Sequence, residues 1–167
     1  MSIPGASTYL SVPGRIRVLI ADDHALIRSG LARLVSAEPD LELVGTAADG
    51  LRAVELAERE QPDVVVLDLS MPGLDGVSAA GEMRHRSPGA RVLVLSSYVQ
   101  EAVVTAAFAA GVCGYLLKNV SSLEVLQGIR LTHAGGAPMS ERIRRTMEPH
   151  LTPTAAALPT PASPPRG

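Results

Sequence analysis

The chain has 167 residues, of which 46% are hydrophobic and 19% charged, values typical of one globular domain with a buried core. Its 15 basic and 17 acidic residues give a net charge of −2, which excludes a strongly basic nucleic-acid-binding protein. The sequence has no long apolar run, no export signal and one cysteine, Cys113, so we expect a cytoplasmic protein without disulfides or membrane spans.

Short apolar runs alternate with helical segments through the middle of the chain. The runs are rich in β-branched residues and several are apolar on both faces, as is typical of strands covered by helices on both sides. The helical segments end at prolines or glycines, which stop helices. In chain order the predicted elements are strand 16–20, helix 24–37, strand 41–44, helix 51–60, strand 64–67, helix 77–86, strand 92–95, helix 99–110, strand 115–117 and helix 123–133.

Five strands, each followed by a helix, predict a (βα)5 domain. Right-handed crossovers between the strands give a parallel sheet with helices on both faces. We therefore predict a flavodoxin-like, doubly wound α/β fold with a five-stranded sheet in the order 2-1-3-4-5.

The two ends of the chain differ in composition from this domain. Residues 1–15 lack periodicity and are interpreted as a disordered leader before a domain at 16–134. Residues 135–148 are interpreted as a partly helical linker. Residues 149–167 contain six prolines and little charge, which predicts a disordered tail.

Polar side chains follow four of the five predicted strands. Asp22 and Asp23 follow the first strand, Asp68 the third, Ser96 the fourth and Lys118 the fifth. Because functional crevices of parallel sheets lie beyond the carboxyl ends of the strands, we expect these residues to meet at one edge. Lys118 is also the only lysine, since the other 14 basic residues are arginines.

Three carboxylates in one crevice repel one another unless a cation neutralises them. The available ligands are hard oxygens, which favours Mg²⁺, with Mn²⁺ as a substitute. A carboxylate at the centre can accept a phosphoryl group as an acyl phosphate, with the lysine opposite the metal. His24, beside the acidic pair, is interpreted as a solvated residue of the first helical turn.

Other phosphate chemistries lack their residues in this sequence. There is neither a Gly-x-x-x-x-Gly-Lys-Ser/Thr loop nor a Gly-x-Gly-x-x-Gly segment after the first strand. A haloacid-dehalogenase-type phosphatase would need a second aspartate two residues after Asp68, where this chain has Ser70. A non-enzymatic phosphoacceptor is therefore favoured over a Mg²⁺-dependent aspartyl-phosphate phosphatase, which stays an alternative.

Three segments carry a resemblance to a known family. They are VLIADDHALIRSG at 18–30, PDVVVLDLSMPGLDG at 62–76 and GYLLK at 114–118. Together they resemble the receiver domain of bacterial two-component response regulators, most closely the NarL/LuxR-type subfamily. The resemblance extends from about residue 15 to residue 134.

The resemblance implies roles for the residues at the strand ends. Asp68 would be the phosphoacceptor, and Mg²⁺ would be held by Asp22, Asp23, Asp68 and the backbone carbonyl of Ser70. Lys118 would bind the phosphoryl group. The donor would be a phosphohistidine of a sensor histidine kinase, for which small acyl phosphates could substitute.

The resemblance also implies a switch. Ser96 would bind the phosphoryl group and act as the hydroxyl switch residue, with Ser97 as the alternative or as a cap of the fourth helix. Tyr115 would be the aromatic switch residue, while Tyr98 and Ser70 would flank the site. Self-association through the first and fifth helices would follow the subfamily.

The resemblance does not extend to a DNA-binding domain. Leu151-Thr152-Pro153 is typical of the start of a helix-turn-helix domain, but a low-complexity stretch follows from Thr154. The chain would then be either a natural stand-alone receiver or a regulator that lost its effector domain by frameshift or truncation. The abrupt change to low-complexity sequence at Thr154 slightly favours the second interpretation. In both cases we expect no nucleic-acid binding by these 167 residues.

Overall fold

The computed structural model describes residues 14–151. Strands and helices alternate along the chain, and one further helix follows the fifth pair. The elements are β1 (Ile16–Ala21), α1 (Ala25–Ser36), β2 (Leu41–Ala47), α2 (Gly50–Glu60), β3 (Val64–Leu67), α3 (Gly76–Arg86), β4 (Arg91–Ser96), α4 (Glu101–Ala109), β5 (Gly114–Leu117), α5 (Ser122–His133) and α6 (Glu141–Leu151).

All five strands are parallel and form one sheet in the order β2-β1-β3-β4-β5. The predicted fold class is therefore confirmed. Apolar side chains pack in two clusters, one beneath α2, α3, α4 and α6 and the other beneath α1 and α5. The central strands are buried on both faces, which explains why their sequences are continuously apolar rather than alternating.

The ends of α1 to α5 follow the predicted signals with one exception. Ser121 caps α5 by accepting a hydrogen bond from the Glu124 amide at 3.2 Å, and Gly111 has a positive φ of 101° just after α4. The exception is the start of α4, where the predicted helix from residue 99 is wrong because the helix begins at Glu101. Ser97 provides no cap through Gln100, which itself precedes the helix and makes no side-chain cap bond.

The chain before α4 is held in a loop by bonds that compete with helix. The Tyr98 amide donates to Ser96 Oγ at 3.1 Å, and the Val99 amide donates to Gln100 Oε1 at 3.2 Å. The amides of both residues are therefore satisfied by side chains within the loop.

The segment predicted to be a linker is packed against the domain. The Tyr115 amide donates to the Pro138 carbonyl at 2.8 Å, and the Ser140 amide donates to the Tyr115 carbonyl at 3.1 Å. Ile143 and Met147 of α6 are buried in the same apolar cluster as Tyr115. The folded unit therefore extends beyond the predicted boundary at residue 134.

The predicted ends of the chain are only partly described. Arg15, assigned to the disordered leader, donates from Nη2 to the Leu41 carbonyl at 2.7 Å. The predicted tail from residue 149 is wrong at its start, because α6 includes Pro149 and ends at Leu151. A proline lacks the amide that the last helical turn would use, but Met147 anchors the preceding turn in the core. The predicted leader at 1–13 and the tail at 152–167 lie outside the described residues.

Among residues 14–151, no helix combines the length and apolar character that crossing a bilayer requires.

Two glycines of α3 are expected to respond oppositely to alanine. A Cβ on Gly76 would lie 2.5 Å from both the Asp68 carbonyl oxygen and the Leu69 Cα, whereas a Cβ on Gly81 would meet nothing within 4 Å. We expect Gly76→Ala to lower the free energy of unfolding by about 1–3 kcal/mol, as overpacking does. Gly81→Ala should raise it by up to about 1 kcal/mol through helix propensity.

Urea denaturation of the two glycine variants and the parent chain measures both effects. Equal changes of the same sign would show that the close approach of α3 to the loop after β3 does not limit the side chain at position 76.

Candidate functional site

The loop after β1 presents two aspartates in different environments. The Asp22 amide donates to the Ala47 carbonyl at 3.0 Å, and Asp22 Oδ1 accepts from the His24 amide at 2.9 Å. Asp22 is therefore fixed and buried, at 1% exposure, while the Asp23 side chain is 33% exposed. One carboxylate belongs to the floor of the crevice and the other to its rim.

The loop after β3 presents Asp68 at the centre of the site. Its amide donates to the Ala21 carbonyl at 2.9 Å, which aligns the loop with the end of β1. Its Oδ1 accepts from the Ser70 amide at 3.2 Å. Oδ2 is buried and accepts no well-aligned hydrogen bond from the described residues, although it faces the ammonium group of Lys118.

Lys118 joins the two buried aspartates. Its Nζ lies 3.0 Å from Asp22 Oδ2 and 3.2 Å from Asp68 Oδ2, and its side chain is 16% exposed. Its amide donates to the Ser96 carbonyl at 3.0 Å, which continues the ladder of β5 with β4. The predicted meeting of residues from β1, β3, β4 and β5 at one edge of the sheet is thus observed.

His24 takes a closer part in this cluster than the sequence indicates. It directly precedes α1 and is 63% exposed, which agrees with a solvated residue of the first turn. Its Nδ1 nevertheless lies 3.0 Å from Asp23 Oδ1 and 3.4 Å from Asp22 Oδ1. Ligand atoms of His24, Asp22, Asp23 and Asp68 all lie within 4.8 Å of one another.

The environment shifts the pKa values of the central pair. Burial raises the pKa of Asp68; the Ser70 amide and Lys118 oppose this increase, and the Asp22 charge adds to it. Burial by itself would lower the pKa of Lys118, but its bonds and charge interactions with Asp22 and Asp68 raise the pKa above the usual value. Lys118 is therefore a cation at neutral pH, and the ionised Asp68 is held at a cost in folding free energy.

Replacing Asp68 should stabilise the metal-free chain. Because the Asp68 pKa is raised, the folded state binds the proton more readily than the unfolded chain does. Ionisation of Asp68 therefore opposes folding at neutral pH, and this penalty disappears as the pH falls below the pKa of the unfolded carboxyl. We expect Asp68→Asn to raise the thermal midpoint by a few degrees at pH 7 with EDTA, and to raise it less at pH 4.

Asp23→Asn is the matched control for Asp68→Asn, because the Asp23 carboxylate is partly solvated and should change the midpoint little. A lower midpoint for Asp68→Asn at pH 7 would contradict the assignment of a destabilising buried charge.

The residues predicted to form a switch are linked through the backbone of one residue, Tyr98. Ser96 and Tyr115 are both fully buried. Ser96 Oγ accepts from the Tyr98 amide at 3.1 Å, and the Tyr115 hydroxyl donates to the Tyr98 carbonyl at 2.8 Å. Ser97 and Ser70 are exposed. The buried position of Ser96 favours it over Ser97 as the hydroxyl that faces the interior.

The cluster has the chemistry of a site for a hard divalent cation. Three carboxylates supply oxygen ligands within a few ångströms, and one of their buried oxygens lacks a well-aligned hydrogen bond. Such an oxygen is satisfied when it binds a cation. The residues present therefore fit a Mg²⁺-type ion.

The fold and the site define a doubly wound α/β domain with an acidic site at the carboxyl edge of its sheet. Residues 18–147 match the family described as the response regulator receiver domain, and the chain belongs to that family.

Known proteins of this kind support the assignment. The chain is 36% identical over 133 residues to the transcriptional regulatory protein DegU of Brevibacillus brevis, covering 80% of this chain and 56% of DegU. It is also 36% identical over 140 residues to the nitrate/nitrite response regulator protein NarL of Escherichia coli K12, covering 84% of this chain and 61% of NarL. The chain thus spans about three fifths of the length of these relatives.

A solved structure shows the same architecture. It is a two-component response regulator of the LuxR family from Aurantimonas sp. SI85-9A1, with a TM-score of 0.76 and 33% sequence identity. The match covers 82% of this chain and 98% of that chain. The subfamily indicated by the sequence motifs is therefore confirmed.

Proposed function

We propose that this two-component response regulator accepts a phosphoryl group on Asp68 from a phosphohistidine of a sensor histidine kinase. The observation that carries this proposal is the buried Asp68 Oδ2, which faces Lys118 and Asp22 inside an acidic cluster. We assign the reaction to the cytoplasm, where the kinase would present its phosphohistidine.

The transfer needs little from the protein beyond position and charge. An Asp68 oxygen bonds to phosphorus as the phosphorus–nitrogen bond of the phosphohistidine breaks, and the histidine leaves with the electron pair and takes up a proton. The product is an acyl phosphate. Lys118 neutralises a phosphoryl oxygen from the side it already occupies next to Asp68.

Asp22, Asp23, Asp68 and the backbone carbonyl of Ser70 would hold Mg²⁺, with Mn²⁺ as a substitute. When bound, the cation offsets the repulsion between the carboxylates and the incoming phosphoryl group. The support for these three side chains is the grouping of their oxygens at one end of the sheet. The carbonyl of Ser70 is carried over from the family resemblance.

The switch we propose begins at Ser96. Its buried hydroxyl lies at the end of β4, next to the strand whose end carries Asp68. Donation from Ser96 to a phosphoryl oxygen would alter the bond that its Oγ accepts from the Tyr98 amide. The carbonyl of the same residue accepts from the Tyr115 hydroxyl, so a movement of Tyr98 also reaches Tyr115. Phosphorylation needs to supply only a few kcal/mol, the free-energy difference between two alternative arrangements of these side chains.

The chain is proposed to be a phosphoacceptor rather than an enzyme. Rapid hydrolysis of an aspartyl phosphate needs a general acid or base, and Ser70 occupies the position where a phosphatase would have aspartate. The one phosphoryl group is then retained and lost slowly. A phosphatase would instead release many phosphates per chain.

The proposed output is a change in protein contacts. Residues 16–134 contain 10 basic and 15 acidic residues, so this domain is not suited to binding the phosphate backbone of a nucleic acid.

We also propose self-association through α1 and α5, where Leu26 and Leu123 are 87% and 60% exposed. Sedimentation of Leu26→Asp against the parent chain tests it, with loss of a dimer as the expected result.

Intact mass spectrometry tests the phosphoacceptor. The chain is incubated with acetyl phosphate, with Mg²⁺ or with EDTA, alongside Asp68→Asn and Asp63→Asn, an aspartate away from the cluster. We expect one phosphoryl adduct that depends on Mg²⁺, is labile to base and is absent only from Asp68→Asn. An adduct that persists in that variant would exclude Asp68 as the acceptor.

A further inference from the structure

Residues 138–140 add a short sixth strand-like segment to the outer edge of β5. Tyr115 exchanges both of its backbone hydrogen bonds with this segment, through Pro138 and Ser140. The Leu117 amide donates to Ser140 Oγ at 2.9 Å. A serine directly before a helix ordinarily caps that helix, but here its hydroxyl binds the sheet instead.

The helix that follows lies across α4 and β5. Ile143 is fully buried and Met147 is 6% exposed, and both belong to the cluster that includes Tyr115 and Ala107 of α4. Helix α6 thus packs against both α4 and β5. A displacement of α4 or β5 therefore changes the surface that holds α6.

Two short routes join the acidic cluster to this helix. In the first, Lys118 contacts Asp68 through its ammonium group, and the adjacent residue, Leu117, binds Ser140 through its amide. In the second, Ser96 Oγ accepts from the Tyr98 amide, and the Tyr98 carbonyl accepts from the Tyr115 hydroxyl. The Tyr115 carbonyl in turn accepts from the Ser140 amide. Both routes end at the residue directly before α6.

We propose that α6 is a docked helix that phosphorylation of Asp68 releases from α4 and β5. This inference rests on the proposed phosphoacceptor function. In the arrangement seen here, the Lys118 ammonium is shared by Asp22 and Asp68, and Ser96 contacts Tyr98. A phosphoryl group takes both Lys118 and Ser96 as partners, so the contacts that position β5 and the loop before α4 are weakened. The docked position of α6 depends on those two elements.

Release exposes new surface on both partners. It uncovers the apolar patch of α4 and β5 and frees an amphipathic helix whose inward residues are Ile143 and Met147. Since coupling between sites is reciprocal, weaker docking of α6 also favours phosphorylation.

Hydrogen exchange of the full chain tests the release. Peptides from α6 and α2 are followed with Mg²⁺ alone and with Mg²⁺ plus acetyl phosphate, and intact mass of the same samples gives the fraction phosphorylated. We expect α6 amides to exchange roughly 5- to 150-fold faster in the phosphorylated chain, the range of ordinary coupling energies. Exchange in α2, which packs between β1, β2 and α3, should not change.

Ser140→Ala and Thr146→Ala form a matched pair for the same experiment. Each removes one hydroxyl, but only Ser140 binds β5, whereas Thr146 Oγ1 donates to the Arg142 carbonyl within α6. Ser140→Ala should speed α6 exchange before phosphorylation and reduce the further increase, and Thr146→Ala should retain the full increase.

The outcomes separate the two proposals. If no adduct forms, the phosphoacceptor function fails and the release of α6 fails with it. If the adduct forms while α6 exchange stays constant or slows, the release alone is overturned.

Discussion

Lys118→Met is expected to destabilise the metal-free chain by about 3 kcal/mol at pH 7, the low end of the range for breaking a buried ion pair. Methionine fills a similar volume without charge, so the buried Asp22 and Asp68 lose the cation that neutralises them. The low end applies because the Lys118 side chain retains 16% exposure. Urea denaturation with EDTA measures the loss.

The pH dependence identifies the cause of this loss. The Asp68 pKa is already raised in the parent chain, and removal of the opposing Lys118 charge raises it further. Protonation of Asp68 then relieves the repulsion, so the difference between Lys118→Met and the parent should shrink as the pH falls toward 4. A difference that stays constant with pH would indicate lost packing instead.

A double variant provides the control. In Asp68→Asn/Lys118→Met one of the two buried side chains that lose their cation is also neutral, so most of the lost stability should return.

The rate of phosphorylation should also depend on Lys118. We expect the reaction with acetyl phosphate to be roughly 10²-fold slower in Lys118→Met, the usual effect of removing a group that stabilises a transition-state oxygen. Lys118→Arg keeps the positive charge but changes the shape of the cationic group. It should therefore restore more of the free energy of unfolding than of the reaction rate with acetyl phosphate.

Ile143→Ala is expected to lower the free energy of unfolding by about 2–4 kcal/mol, the cost of removing most of a fully buried isoleucine. Ile143 is 0% exposed and lies in the same cluster as Tyr115 and Val104 of α4. A residue of a flexible linker would not contribute to the unfolding of the domain at all. Thermal and urea denaturation, followed by circular dichroism, measure the change.

Ile27→Ala is the matched control for Ile143→Ala. It makes the same chemical change on α1, where the isoleucine is 36% exposed, and should cost less than about 1 kcal/mol. If Ile143→Ala left the unfolding midpoint of the domain unchanged and only increased exchange in α6, then α6 would be docked without contributing to global stability.

The sheet and most of the site could be predicted because their signals are local. Continuous apolar runs such as Val64–Leu67 indicate strands buried on both faces, and parallel strands bring their carboxyl ends to one edge. Asp22, Asp68 and Lys118 follow from this rule alone, before any family resemblance is considered.

The features that were missed depend on contacts between distant residues. Pro138, Met139 and Ser140 have no strand pattern, and their pairing with β5 depends on the exposed edge of a strand about 25 residues earlier in the chain. In α6 the local signal is the four-residue spacing of apolar residues such as Ile143 and Met147 among arginines. That spacing indicates a helix with one apolar face, but the surface that accepts this face is formed by β5 and α4.

The start of α4 could not be predicted correctly, for a related reason. Sequence rules treat Ser97 as a possible cap, but Ser96 and Gln100 bind the intervening amides first. Side-chain bonds to the backbone over one or two residues compete with the helix, and sequence alone does not indicate which of them wins.

The pairing of residues 138–140 with β5 also covers the outer edge of that strand at Tyr115 and Leu117. Exposed edge strands present free amides and carbonyls that can add a strand from another molecule. A recombinant domain that ended at Ala134 would lose both backbone partners of Tyr115, a residue with no exposed surface in the folded chain. Such a fragment would offer β5 for edge-to-edge aggregation, so the shortest well-behaved domain should include α6.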